Sequence, residues 1–79
     1  MASIGGDRIT YEIVERIGVI DTNEANHWRL EANIVRWCEG PEKLDLRFWS
    51  ADHQRMQRGS TFTKEQAVKL AKLLSDRFL

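Results

Sequence analysis

Arg47 and Trp49, separated by one position, carry the clearest chemistry in the sequence. Positions two apart on a strand point to the same side, so a guanidinium able to neutralise a phosphate stands beside an indole able to stack on a base. Base–aromatic stacking contributes roughly 1–3 kcal/mol per base whatever the base, while arginines follow the backbone. Unstacked bases are offered by single strands, which points to single-stranded nucleic acid over duplex. Similar residues surround the pair: Arg29 and Trp37 before it, Lys43 at the start of the same strand, and Arg55 and Arg58 in the basic segment SADHQRMQRG that follows. No feature reads a 2′-hydroxyl, so DNA and RNA both remain open as ligands.

The elements that must position these residues follow from periodicity. From Ile9 onward the chain alternates Ile9, Tyr11, Ile13, Glu15, Ile17 and Val19 against Thr10, Glu12, Val14, Arg16, Gly18 and Ile20, a strand rich in β-branched residues. Gly18 inside it suggests a bulge or bend. The segment DTNEANH makes a loop. A second strand over residues 28–37 sets Trp28, Leu30, Ala32, Ile34 and Arg36 against Arg29, Glu31, Asn33, Val35 and Trp37. A turn follows at CEGPE. The third strand, residues 43–49, sets Leu44, Leu46 and Phe48 against Lys43, Asp45, Arg47 and Trp49. The leucine side of these strands is expected to be core, and the side with Arg29, Trp37, Lys43, Arg47 and Trp49 an open binding surface. Residues 60–62 are expected to form a short fourth strand, and Thr63 to Gln66 match a capping box opening a helix to about Arg77. Seven apolar helical positions (Ala67, Val68, Leu70, Ala71, Leu73, Leu74, Phe78) exceed what one small sheet needs, which predicts a second copy packed on the helix. The fold class is therefore α+β, with order β-β-β-β-α. Residues 1–8 are expected to form a flexible N-terminus, and residues 9–79 one nucleic-acid-binding domain.

Composition bounds these expectations. A chain of 79 residues makes one domain with a thin core. Its 42% hydrophobic and 30% charged content fits a folded domain, and no apolar run has the length of a spanning helix. The one cysteine, Cys38, excludes an internal disulfide, and with no secretory pattern at the N-terminus it leads to the expectation of a cytoplasmic protein without a membrane partner. Formal net charge is zero, but the charge is segregated: residues 1–31 hold six acids against three bases, and residues 43–64 five bases against two acids. Local potential is what a phosphate backbone feels, so modest, salt-sensitive binding is expected.

Other readings of the same residues were weighed. Trp28 shares parity with Leu30 and Ile34 and is expected in the core. Trp37 and Trp49 serve equally well as anchors of a protein contact, and Arg47 has an ion pair with Asp45 or Glu31 as its plain alternative. His27, Cys38, Asp52 and His53 show no metal-binding spacing, and the glycines form no phosphate loop. An enzyme, a cofactor and a small-molecule substrate are therefore not expected. A protein-interaction module contacting the transcription machinery remains the alternative class.

The residues Trp28, Arg29, Glu31, Asn33, Val35 and Trp37, then Lys43, and above all the run D-x-R-x-W-S-x-D-H-x-x-M from Asp45 to Met56 followed by Gly59, resemble the bacterial YdbC family, relatives of the eukaryotic transcriptional positive cofactor 4. The resemblance covers nearly all of the chain beyond the first eight or so residues. It implies a curved four-stranded antiparallel sheet followed by one helix, a homodimer built through helices and sheet edges, and single-stranded DNA laid across the strands with little sequence preference, in transcription regulation or in DNA repair and replication. The family's third-strand arginine falls on Arg47, its nearby aromatic on Trp49, and the basic residue before the glycine opening strand four on Arg58. Arg29, Trp37 and Lys43 match the polar strand faces. The chain departs from the cofactor-4 pattern in the close spacing of Arg47 and Trp49 and in a shorter loop before strand four.

Overall fold

A computed structural model describes Ser3–Ile4, Asp7–Arg8 and residues 10–79. Ser3–Ile4 (β1) and Asp7–Arg8 (β2) pair as a two-residue antiparallel ladder. The rest of the flexible N-terminus expected over residues 1–8, and Ile9, lie outside the described residues. The main sheet is antiparallel in sequential order: Tyr11–Thr22 (β3), Arg29–Trp37 (β4), Glu42–Trp49 (β5) and Ser60–Phe62 (β6). One helix, Lys64–Phe78 (α1), follows. The expected order of four strands and a helix is therefore the observed one.

β3 does not alternate strictly. Its pairing with β4 slips between Ile13 and Glu15, between Arg16 and Gly18, and between Val19 and Asp21. The expected bend at Gly18 is thus one of three bulges, and the skipped residues, Val14, Ile17 and Ile20, have no partner on β4. Each bulge bends the strand and increases its twist. It also resets parity: Glu15, expected beside Ile13, instead pairs with Ile34 and shares the leucine side, Arg16 joins the side of Asn33, and a second bulge returns Val19 to the side of Ile13, opposite Glu31.

The sheet rolls as a result. Tyr11 pairs with Trp37 at one end of β4, and Trp49 with Arg29 at the other. A flat sheet would hold those two ends roughly 25 Å apart, yet the Tyr11 and Trp49 rings lie 5.5 Å apart, centroid to centroid. The sheet must therefore be concave toward the side bearing Tyr11, Trp37, Arg47 and Trp49.

That roll overturns the expected division into core and open face. On the concave side Glu31, Asn33, Val35, Asp45 and Trp49 are buried, whereas Leu30, Ala32, Ile34, Leu44, Leu46 and Phe48 on the convex side are only half-buried. Curvature closes the first side on itself, and residues 50–59 fold back over it. Among the described residues the convex side is covered by α1, which packs against β5 and β6.

Local chemistry explains the turns and the helix start. Between β4 and β5 the Gly40 N–H donates to the Trp37 carbonyl oxygen (2.8 Å), with Cys38 and Glu39 both at positive φ (50° and 61°), the pairing of signs that a primed hairpin turn requires. α1 opens on the expected capping box: the Thr63 hydroxyl accepts from the Gln66 N–H (3.1 Å), and the Gln66 side chain accepts from the Thr63 N–H (2.9 Å). No helical residue is buried; Val68 borders an open groove of about 450 Å³ together with Ile34, Leu44, Ala67 and Ala71, and Leu73, Leu74 and Phe78 stand exposed further along the helix.

Val35 is wholly buried. Val35→Ala should lower the unfolding free energy by about 1.5–3 kcal/mol, seen as an earlier urea midpoint at unchanged slope.

Candidate nucleic-acid interface

The concave side is built around buried charge. Asp45, fully buried, accepts two hydrogen bonds from Arg47, Nε to Oδ2 at 2.7 Å and Nη2 to Oδ1 at 2.8 Å. The Arg47 Nη1 also reaches the Gln57 carbonyl oxygen (3.3 Å) and the Met56 sulfur (3.5 Å), and its guanidinium carbon lies 4.6 Å from the centre of the Trp37 ring. Arg47 is thus a cross-tie between β5, the 50–59 segment and Trp37. The plain alternative, the ion pair with Asp45, is what the structure contains, and the expected free, backbone-tracking cation is corrected accordingly. A planar fork matched to a carboxylate leaves few donors for a phosphate.

Gly59 makes that cross-tie possible. A β-carbon there would collide with the Arg47 side chain and the Leu46 carbonyl oxygen, so this close approach to β5 requires glycine. Gly59→Ala should push Arg47 off Asp45 and destabilise the domain by about 1–3 kcal/mol, with a lowered melting temperature and a shifted Arg47 side-chain resonance as readouts.

Glu31 is the second buried acid. It accepts from the Asn33 amide (3.0 Å) and pairs with the His53 Nε2 (2.9 Å), with Arg29 at 3.4 Å and Arg16 at 3.9 Å. Burial pushes its carboxyl up, but the hydrogen bonds from His53 and Asn33, with the charges of His53 and Arg29, outweigh that and hold it below its ordinary range. A carboxyl held low in the folded state contributes stability above its unfolded value, and that stability is lost as pH falls through the folded one. Acidification through the carboxylate range should therefore lower the melting temperature, and Glu31→Gln should flatten that dependence while itself lowering stability at neutral pH.

The aromatic rings form a rank along the concavity. Tyr11 lies 5.6 Å from Trp37 and 5.5 Å from Trp49, both tilted, and the His53 imidazole stacks on Trp49 at 4.0 Å with 9° between planes. Trp49 is 1% exposed. The expectation of Trp49 as an open stacking ring is therefore corrected for the free chain: the 50–59 segment covers it. Trp37, half-buried, and Tyr11, exposed, are the accessible rings.

The other expected residues are distributed around this rank. Arg29 is half-buried beside Glu31. Arg55 and Arg58 are exposed and have no ion pair among the described residues, with Arg55 over the Trp28 ring at 5.9 Å. Trp28, expected in the core, is half-buried and lies just before β4. Lys43, paired with Val35, is half-buried and borders the groove under α1. Sequence reasoning missed Tyr11, Arg16 and His53 as members of the concave side. Tyr11 could have been found from its alternation with Ile13; Arg16 could not, because a bulge reversed its parity. Among the described residues no group of three or more His, Cys, Asp or Glu side chains could hold a metal ion, and no helix is long and apolar enough to cross a membrane.

No protein-family model matches the chain. It is 37% identical over 73 residues to an uncharacterized protein of Treponema pallidum (strain Nichols), a match covering 92% of this chain and 85% of the relative. The chain belongs to the family of that Treponema protein. With 92% of this chain and 85% of the relative matched, the shared unit is close to the whole of both chains.

Proposed function

We propose that the protein binds single-stranded nucleic acid, DNA first, with little sequence preference, and does so as a homodimer. The observation that carries the reading is the aromatic rank of Trp37, Tyr11 and Trp49 on a concave sheet face, with the exposed Arg55 and Arg58 on the segment that folds over it. Stacking rings beside unpaired guanidinium groups are what a sequence-tolerant single-strand site needs. The rings accept bases, Arg55 and Arg58 neutralise phosphates, and Arg47, held by Asp45, keeps Trp37 and the 50–59 segment in register. The resemblance to single-stranded-DNA-binding proteins supports the same ligand, with a role in transcription regulation or in DNA repair and replication.

The convex side supports the dimer. Ile34, Leu44 and Phe48 are half-buried, α1 leaves Val68, Leu73, Leu74 and Phe78 exposed, and β3 leaves Val14, Ile17 and Ile20 exposed. Among the described residues α1 is the element packed on this surface, and small domains complete a thin core by pairing. A second copy, meeting the first through like surfaces, buries the groove under α1 in both.

Titration of labelled oligo-dT of about twenty nucleotides tests the first half. Binding should weaken steeply between about 50 and about 200 mM salt, and Trp37→Ala should cost roughly five- to a hundredfold in affinity. Absence of binding at low salt, or binding indifferent to salt, would sink the reading. A nuclease-insensitive pull-down partner lost with Trp37→Ala would instead favour the protein-interaction alternative. Sedimentation equilibrium tests the second half: a dimer is expected, and Leu73→Glu should yield monomer.

A further inference from the structure

We propose that His53 occupies, in the free protein, the place on Trp49 that a nucleobase takes in the complex, so that the His53 ring is a displaceable cover over the deepest stacking site. The inference rests on the single-strand reading above and goes further, by naming what the ligand must remove.

The imidazole lies on the indole at 4.0 Å and 9°, the near-parallel arrangement in which a planar heteroaromatic base stacks. Among the described residues the ring's other polar contacts are Nε2 to the Glu31 carboxylate at 2.9 Å and the Arg16 Nη1 at 3.4 Å from the same nitrogen. The loop does not depend on that ring. Its base is closed by the Ser50 N–H to the Arg55 carbonyl oxygen (2.9 Å) and the Arg55 N–H to the Ser50 hydroxyl (3.0 Å), and its turn by the Ser50 hydroxyl and the Gln54 N–H, both donating to Asp52 (2.7 and 3.0 Å). Rotation of the His53 side chain therefore uncovers Trp49 and leaves these bonds intact. His53 sits at φ 63°, in the left-handed region that glycine and asparagine adopt most readily.

What lies beneath is incomplete without a partner. Trp49 is 1% exposed, yet its indole N–H, itself buried, meets no acceptor among the described residues, and a buried donor left unpaired is rare in folded proteins. A nucleotide stacked in place of His53 brings carbonyl and phosphate oxygens within reach of it. Glu31 is not stranded by the exchange, since Asn33 and Arg29 remain beside it.

The test compares His53→Gly and His53→Asn, both compatible with a positive φ and both lacking a ring to stack, with His53→Phe, which restores an aromatic cover without the Glu31 bond. At fixed low salt, the Gly and Asn variants should bind oligo-dT about two- to tenfold more tightly than the wild type, the range of an aromatic pair energy, and the Phe variant no more tightly than the wild type. In the free Gly and Asn variants acrylamide should quench tryptophan fluorescence more strongly, and saturating oligonucleotide should restore protection. Wild-type binding with unchanged or weaker affinity in correctly folded Gly and Asn variants overturns the cover and leaves the single-strand reading standing. Failure of every variant and the wild type to bind overturns both.

Discussion

β3 uses twelve residues to run beside the nine of β4, and both ends of the ladder are paired, Tyr11 to Trp37 and Thr22 to Arg29. The three surplus residues must leave the ladder somewhere, and they do so at Val14, Ile17 and Ile20. Unequal strand lengths joined at both ends cannot lie flat. The sheet rolls, and the roll brings Tyr11 to Trp49, the Arg47 guanidinium to Trp37, and Arg16 to the Glu31–His53 pair. Without it the aromatic rings would be scattered along a plane.

Concavity also decides where charge can be buried. Glu31 and Asp45 sit where a solvated strand face would ordinarily be, and each is matched at hydrogen-bond distance, Asp45 by the fork of Arg47 and Glu31 by Asn33 and His53. Such pairs contribute little net stability once desolvation is counted, but removal of one partner is costly. They fix geometry: Arg47 aligns Trp37 and the 50–59 segment, and the missing β-carbon of Gly59 leaves room for the Arg47 side chain and the Leu46 carbonyl oxygen. The opposite side carries the consequence, an apolar surface that one helix cannot cover.

Much of the architecture was legible in the sequence. β4, β5, β6 and the capped helix were readable because period-two alternation, the hairpin turn and the Thr63–Gln66 box are local signals. Gly18 correctly marked a bend. The sides of the sheet were not legible, because parity states which residues share a side but not which side closes. Hydrophobicity points to Leu44, Leu46 and Phe48 as core, whereas curvature, set by bulges at Val14 and Ile20 that have no residue signature, buries Glu31, Asn33 and Asp45 instead. The site residues followed the same rule: Trp37, Arg55 and Arg58 stand in the open or at its edge, while Trp49 and Arg47 share a side as expected but are enclosed by a loop whose fold-back was invisible in sequence.

The account rests on the concave side being the ligand face. The three tryptophan indole N–H resonances, Trp28, Trp37 and Trp49, report on it in a single two-dimensional NMR titration with oligo-dT. Ligand on the concave face predicts that the Trp37 and Trp49 indole signals and the amides of residues 50–58 shift together and saturate at one stoichiometry, with the amides of α1 unmoved. Shifts confined to α1 and the leucine side, with the Trp37 and Trp49 indoles unchanged at saturation, would contradict it.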